Sequence, residues 1–219
     1  MISDKKILII SSTFQEIETF LNNGFEKKSE NLYSNQSIDV FICGVGILFS
    51  TFNLTKHLAT KKYDLALNIG IAGSFNSDLK IGDIVQVASD CFADFGIEFD
   101  SEFQSIFETK FVNKTEFPFA DGEILSKTKI DNLKEVKSIT VNRTSGSLET
   151  ILERKQMFSP DIETMEGASI MYVCQKEKLE CIQIRSISNI IDERRKQTWN
   201  VKLAIENLNK SLVEILEKL

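Results

Sequence analysis

Short apolar runs alternate with longer segments of helical spacing along this chain. Lys6 to Ser11 carries I-L-I-I and reads as a first strand; helical spacing follows from Thr13 to Asn22, and Gly24 ends it. Two short extended pieces flank the turn-like S-N-Q-S at Ser34 to Ser37. Ile38 to Cys43 is the next strand and runs into G-V-G. Ile47 to Thr60 is predicted helical, offering Leu48, Phe52, Leu54 and Leu58 for burial. Further strands are predicted over Leu65 to Ile71, Asp83 to Ala88, Ser138 to Asn142, Ile162 to Met165 and Cys181 to Ile187. Helices are predicted over Leu148 to Phe158, Gly167 to Lys178 and Lys196 to Leu219. Several strands are almost wholly apolar, the pattern of a sheet covered on both faces. Strands alternating with helices then predict an α/β fold.

One stretch breaks the pattern. Cys91 to Pro118 has no clean period and is rich in phenylalanine, including Phe92, Phe95, Phe99, Phe103, Phe107 and Phe111. It reads as a long excursion able to cover a pocket, with most of its rings filling core. No repeat, linker or low-complexity segment divides the chain, which holds only 2 prolines, so one domain over 1–219 is expected.

Composition narrows the functional classes. Hydrophobic residues make up 42% and charged residues 26% of 219, a globular balance. The net charge is -6 and no long basic run appears, so neither nucleic acid nor an anionic membrane is an expected partner. No apolar stretch approaches the roughly 20 residues that span a bilayer. The N-terminus lacks the apolar region and cleavage pattern of a secretory signal, so a cytoplasmic location is expected. Cys43, Cys91, Cys174 and Cys181 form no C-x-x-C pair, and His57 is the sole histidine. A metal site and a histidine-based triad are therefore not expected. The thiols are expected reduced in or near the core, and His57 at the surface. G-K-[ST] is absent, as is G-x-G-x-x-G with a downstream acid, which disfavours P-loop and dinucleotide sites; no cofactor is expected.

Candidate chemistry sits at strand ends. From Ile162 to Asn189 one apolar strand ends in Met165 and Glu166, and the next ends in Ser188 and Asn189. Ligands of open α/β sheets bind outside the carboxyl ends of the strands. A carboxylate there accepts hydrogen bonds from vicinal hydroxyls, and a carboxamide both donates and accepts, which suits a sugar beside a heterocyclic base. Each residue also has a plainer reading. Glu166 is placed to cap the following helix, Met165 to fill core, and Asn189 to form a turn. Glu16 falls early in the first helical segment, either as a base at the mouth of the sheet or as a glutamate complementing the helix dipole. Position alone favours the second. The small-residue loops at Gly44 to Gly46, Gly70 to Gly73 and Thr144 to Ser147 are tight turns or places where a ligand approaches backbone.

Taken together, these residues resemble the nucleoside phosphorylase/nucleosidase superfamily. The resemblance covers nearly the whole chain: the first strand with Glu16, N-I-G-I-A-G-S-F, G-D-I-V at Gly82 to Val85, M-E-G-A at Met165 to Ala168, and R-S-I-S-N at Arg185 to Asn189. It implies a three-layer α/β/α sandwich around a central mixed twisted sheet. It also implies hydrolysis of an N-ribosidic bond, and a homodimer or larger homo-oligomer. Bacterial methylthioadenosine/S-adenosylhomocysteine nucleosidases place a water-activating glutamate where Glu16 stands. Phosphorylases carry a glycine- and arginine-based phosphate site in this loop, and S-S-T-F-Q-E-I-E has no arginine. By the same resemblance Glu166 meets the ribose hydroxyls, Met165 packs beside the sugar, and backbone around Ala72 and Gly73 lines the site near the leaving group.

Asn189 departs from the adenine-specific pattern, which has aspartate there. An amide N–H pair suits a 6-oxopurine, whose N7 and O6 both accept. The continuation I-I-D-E-R-R-K-Q-T-W-N also resembles the futalosine hydrolases of menaquinone biosynthesis, which act on an inosine-type nucleoside. Arg185, Arg194 and Arg195 read either as cations for the benzoate end of such a substrate or, for R-R-K, as a solvated surface turn.

Overall fold

The computed structural model describes residues 5–100, 102–192 and 199–218. The chain opens with β1 (Ile7–Ser11), α1 (Glu18–Leu21), β2 (Glu26–Ser29), β3 (Leu32–Asn35), β4 (Ile38–Ile42) and α2 (Gly46–Leu58). It continues through β5 (Leu65–Ser74), β6 (Ile84–Phe92), β7 (Gly96–Phe99), β8 (Glu102–Ser105), β9 (Ile124–Leu125) and β10 (Lys134–Thr140). It closes with α3 (Leu148–Phe158), β11 (Ile162–Thr164), α4 (Gly167–Lys176), β12 (Cys181–Ile190) and α5 (Val201–Leu216).

Among the described residues a 10-stranded mixed sheet runs β11-β10-β6-β12-β5-β1-β4-β3-β2, with β9 joined to β6. β5 pairs parallel with β1 and β12, while β12 meets β6 antiparallel. β11 also pairs antiparallel with β5, so the strands at that end close on themselves. Successive residues of a strand face opposite sides. Ile7 and Ile9 of β1 pack into the cluster holding Phe20, Leu208 and Leu212 of α1 and α5. Leu8 and Ile10 pack into the cluster holding Leu54, Leu58, Ile170 and Cys174 of α2 and α4. The result is the expected helix–sheet–helix sandwich. Among the described residues no helix is long and apolar enough to cross a membrane.

Several elements differ from the sequence expectation. The helix expected over Thr13 to Asn22 shrinks to α1, because residues 12–17 turn back across the strand ends. Leu54 and Leu58 of α2 are buried, but Leu48 is 73% and Phe52 64% exposed. Met165 lies just past β11, not within it. The start of the helix expected from Lys196, and with it Arg194 and Arg195, lies outside the described residues; the described helix is α5.

The phenylalanine-rich excursion forms the β7–β8 hairpin and following turns. Phe92, Phe107 and Phe158 line a cavity of about 720 Å³ separate from the strand-end cleft. All four cysteines are free and buried. His57 is only partly exposed: its ring stacks on Phe41 at 4.3 Å and its Nε2 lies 2.8 Å from Tyr63 Oη. Burial pushes its pKa down to about 4.

Candidate active site

The carboxyl ends of β1, β5, β11 and β12 surround a cleft of about 300 Å³. Glu16, Ala72, Gly73, Met165, Glu166 and Asn189 all line it, so the fold brings these six expected site residues together; Arg185 does not line it. Ser12, Thr13, Thr144, Ser145, Trp199 and Ile205 complete much of its wall.

Glu16 lies in the turn between β1 and α1, ahead of the helix, so the dipole reading does not apply. Its Oε2 accepts from Thr13 N at 3.1 Å and Thr13 Oγ1 at 2.9 Å. Its Oε1 accepts from Ile71 N at 3.1 Å. From α5, Asn209 Nδ2 holds the Glu16 carbonyl at 2.8 Å, and Asn209 Oδ1 accepts from Phe20 N. The terminal helix thereby fixes the turn that presents the carboxylate. Glu16 is 8% exposed, enough to reach the cleft.

Glu166 occupies the N-cap position of α4, yet its side chain makes no cap bond. Its Oε1 instead accepts from Gly46 N at 2.7 Å, at the start of α2. Gly46 has φ +86, a left-handed conformation that glycine adopts without strain and that aims this N–H at the carboxylate. Burial raises the Glu166 carboxyl above the ordinary range, opposed by the Gly46 N–H and by Arg185.

Asn189 is a strand residue of β12, not a turn residue. The β12–β5 register shifts between Ile187 and Asn189, leaving Ser188 as the extra residue; such a bulge re-aims the next side chain. Ser188 Oγ lies 2.9 Å from Asn189 Oδ1 and 3.1 Å from the Ala72 carbonyl, and the amide nitrogen faces Gly73. A Cβ on Gly73 would stand 3.1 Å from Asn189 Nδ2 and 2.9 Å from Ile191 Cγ1, so a side chain there would displace the amide. Gly73 pairs with Asn189 on one side and with Glu163 on the other.

Sequence reasoning missed how Arg185 is used. It sits not at the far end of a pocket but under the floor, 2% exposed. Its Nη1 donates to the Asn68 carbonyl at 3.0 Å and its Nη2 to Asn68 Oδ1 at 2.9 Å. A Cβ on Gly70 would touch Glu16 Oε1 at 3.0 Å and Arg185 Nη1 at 3.5 Å, so the cation flanks the Glu16 carboxylate across that glycine. Glu163 was also missed: its carboxylate accepts from Ser145 N, Ser145 Oγ and Arg154 Nη1 at 2.6–2.8 Å, tying down the 143–147 loop beside the cleft. Their signal was faint, since a lone arginine or glutamate in a strand pattern has many uses. Trp199, inside the range expected as the last helix, lines the cleft ahead of α5.

Residues 6–218 match a family model described as the phosphorylase superfamily. The chain belongs to the phosphorylase superfamily. Among curated members, a 5'-methylthioadenosine/S-adenosylhomocysteine nucleosidase of Buchnera aphidicola subsp. Schizaphis graminum is 30% identical, covering 97% of this chain and 96% of the relative. An aminodeoxyfutalosine nucleosidase of Helicobacter pylori J99 is 29% identical, covering 75% of this chain and 73% of the relative. A structure of a futalosine hydrolase mutant from Helicobacter pylori strain 26695 has the same fold. It superposes with a TM-score of 0.81 at 23% identity, over 98% of this chain and 100% of that one.

Proposed function

We propose that this superfamily member is an N-glycosyl hydrolase of purine nucleosides, and that its substrate is a 6-oxopurine nucleoside, best represented by futalosine. Cleavage then yields hypoxanthine and dehypoxanthine futalosine, a step of menaquinone biosynthesis. One observation supports the base preference: the Asn189 amide nitrogen lies over Gly73 in the cleft, while Oδ1 faces Ser188 Oγ at 2.9 Å, a hydroxyl whose one proton is also within reach of the Ala72 carbonyl at 3.1 Å. The amide thus offers donors to the base, and N7 and O6 of a 6-oxopurine are both acceptors. An adenine would set its own amino donors against them.

The reaction needs a base for water, a hold on the sugar, and support for the leaving group. Glu16 takes the water proton, its carboxylate held by backbone N–H groups on the cleft wall. Glu166 accepts from the ribose 2′- and 3′-hydroxyls as positive charge develops on the sugar. Met165 packs against the ring. Asn189 stabilises negative charge gathering on the departing base. Water, and not phosphate, is the fitting nucleophile, because the described lining contains no lysine or arginine and a dianion calls for charged donors.

A second copy of the chain is the proposed partner. Leu48, Phe49 and Phe52 are 61–73% exposed along one face of α2, beside Val45 at the cleft rim. Contiguous apolar exposure of this kind suits an interface. Sedimentation that gives a monomer at micromolar concentration would contradict this. The functional reading is tested by incubating the protein with futalosine, inosine and methylthioadenosine, with and without phosphate, and identifying products. Hypoxanthine with a free reducing sugar, at a rate independent of phosphate, is expected. Turnover that requires phosphate, or that is confined to methylthioadenosine, overturns it.

A further inference from the structure

A chain of buried hydrogen bonds crosses the sheet beneath the cleft. Arg185 Nη2 donates to Asn68 Oδ1, Asn68 Nδ2 to Gln183 Oε1, and Gln183 Nε2 to Asp90 Oδ2, each at 2.9 Å. Thr140 Oγ1 donates to the other Asp90 oxygen at 3.0 Å and accepts from Ala168 N at 2.7 Å. All five side chains belong to residues no more than 2% exposed.

The direction of every bond follows from its ends. Arginine has no acceptor, so it takes the oxygen of Asn68 and turns that amide's nitrogen toward Gln183. Gln183 is turned in the same sense and requires an acceptor, which Asp90 supplies. Thr140 gives its one hydroxyl proton to Asp90, so its oxygen is left to receive an N–H.

That N–H belongs to the first turn of α4, where backbone donors have no partner within the helix. Thr164 Oγ1 takes the neighbouring Gly167 N at 3.2 Å. The N-terminus of α4 is thus capped from the sheet. Glu166 stands at the N-cap position, whose side chain ordinarily accepts from the second or third helical N–H. Here the second, that of Ala168, is already taken by Thr140. The Glu166 carboxylate makes no bond to the third either, and instead accepts from Gly46 N at the start of α2. Gly167 records the tightness of this packing: a Cβ there would lie 2.2 Å from Asp90 Oδ2.

We propose that Thr140 and Asp90 are positioning residues for Glu166: by capping α4 in its place, they keep its carboxylate turned toward the ribose. The consequence for turnover rests on the reading of Glu166 as the sugar-binding group. The geometric consequence does not.

The test compares Thr140→Val, which keeps the shape and removes the hydroxyl, with Thr140→Ser, which keeps it. In Thr140→Val the freed Ala168 N–H draws Glu166 back to the cap, and Gly46 N loses its acceptor. Amide exchange followed by NMR in the ligand-free protein should show Gly46 exchanging at least tenfold faster in the valine variant and near the wild-type rate in the serine variant. With nucleoside, kcat/KM should fall about tenfold to a hundredfold in Thr140→Val through misplacement of a binding group. Inhibition by free hypoxanthine, which does not touch Glu166, should stay within twofold of wild type. Unchanged Gly46 exchange in Thr140→Val overturns the proposal. So does a serine variant as impaired as the valine one. A wild-type protein inactive on every nucleoside sinks the proposed function instead, and the Gly46 exchange still decides this point.

Discussion

Replacing Glu16 with glutamine separates its chemistry from its shape. The carboxylate is committed at both oxygens, Oε2 to the N–H and hydroxyl of Thr13 and Oε1 to the N–H of Ile71, at 2.9–3.1 Å. Glutamine fills the same volume but has one acceptor oxygen. Its amide nitrogen must therefore face either Thr13 N or Ile71 N, leaving a mostly buried donor unpaired at about 1–3 kcal/mol. At roughly 2–4 °C per kcal/mol for a chain of this size, Tm should fall by about 2–12 °C. Loss of a positioned proton acceptor removes about 10²–10⁴ in rate. The assay is base release followed by ultraviolet absorbance, on samples whose thermal unfolding is measured alongside. Hypoxanthine inhibition should be retained, because Asn189 and Gly73 are untouched. A folded Glu16→Gln protein with wild-type kcat would refute the base assignment, whatever its Tm.

Other outcomes follow from the same geometry. Asn189→Asp should shift the ratio of kcat/KM from 6-oxo toward 6-amino purine nucleosides, and an unchanged ratio contradicts the amide argument. Asp90 should make stability depend on pH. Burial pushes its pKa from the ordinary 3.8 up to about 6, so between these values the folded protein holds a proton that the unfolded chain has lost. Stability should thus fall as pH rises from about 4 to 6 and then level, by roughly 3 kcal/mol at about 1.4 kcal/mol per pH unit between those values. Urea midpoints across that range should show the decline in wild type and a flatter curve in Asp90→Asn; identical curves contradict it.

The elements that sequence made legible were those with one strong reason to exist. β1 and β5 are apolar runs buried on both faces, and α3 was bounded as read, because Ser147 caps it and accepts from Thr150 N. The helical spacing of Thr13 to Asn22 predicts more helix than the four residues that form. The chain there serves instead to turn Glu16 into the cleft, with Asn209, almost two hundred residues away, holding the turn. Leu48 and Phe52 fit the same period and face outward, since periodicity marks a face without saying what covers it.

At the site, Met165, Glu166 and Asn189 were visible because strand ends in an α/β sheet converge. Glu16 as a base and the Gly70 to Gly73 loop as a ligand contact were open readings of the residues, but it was the family resemblance that favoured them over the plainer ones. Arg185, Asn68, Gln183 and Asp90 lie on three strands whose order no local pattern encodes, so their chain of bonds had no signal in the sequence. The non-capping posture of Glu166 was hidden for the same reason: it depends on Thr140, which reaches α4 only after β10 takes its place beside β6.

The central claim is that Asn189 selects a 6-oxopurine for hydrolysis. Futalosine and its 6-amino counterpart differ only in the C6 substituent and the N1 proton of the purine, so their kcat/KM values, measured side by side in phosphate-free buffer, test the proposed role of Asn189. A preference for futalosine of at least about fivefold is predicted, since one mismatched polar contact in a desolvated cleft costs about 1–3 kcal/mol. Equal rates, or a preference for the 6-amino nucleoside, would contradict the account.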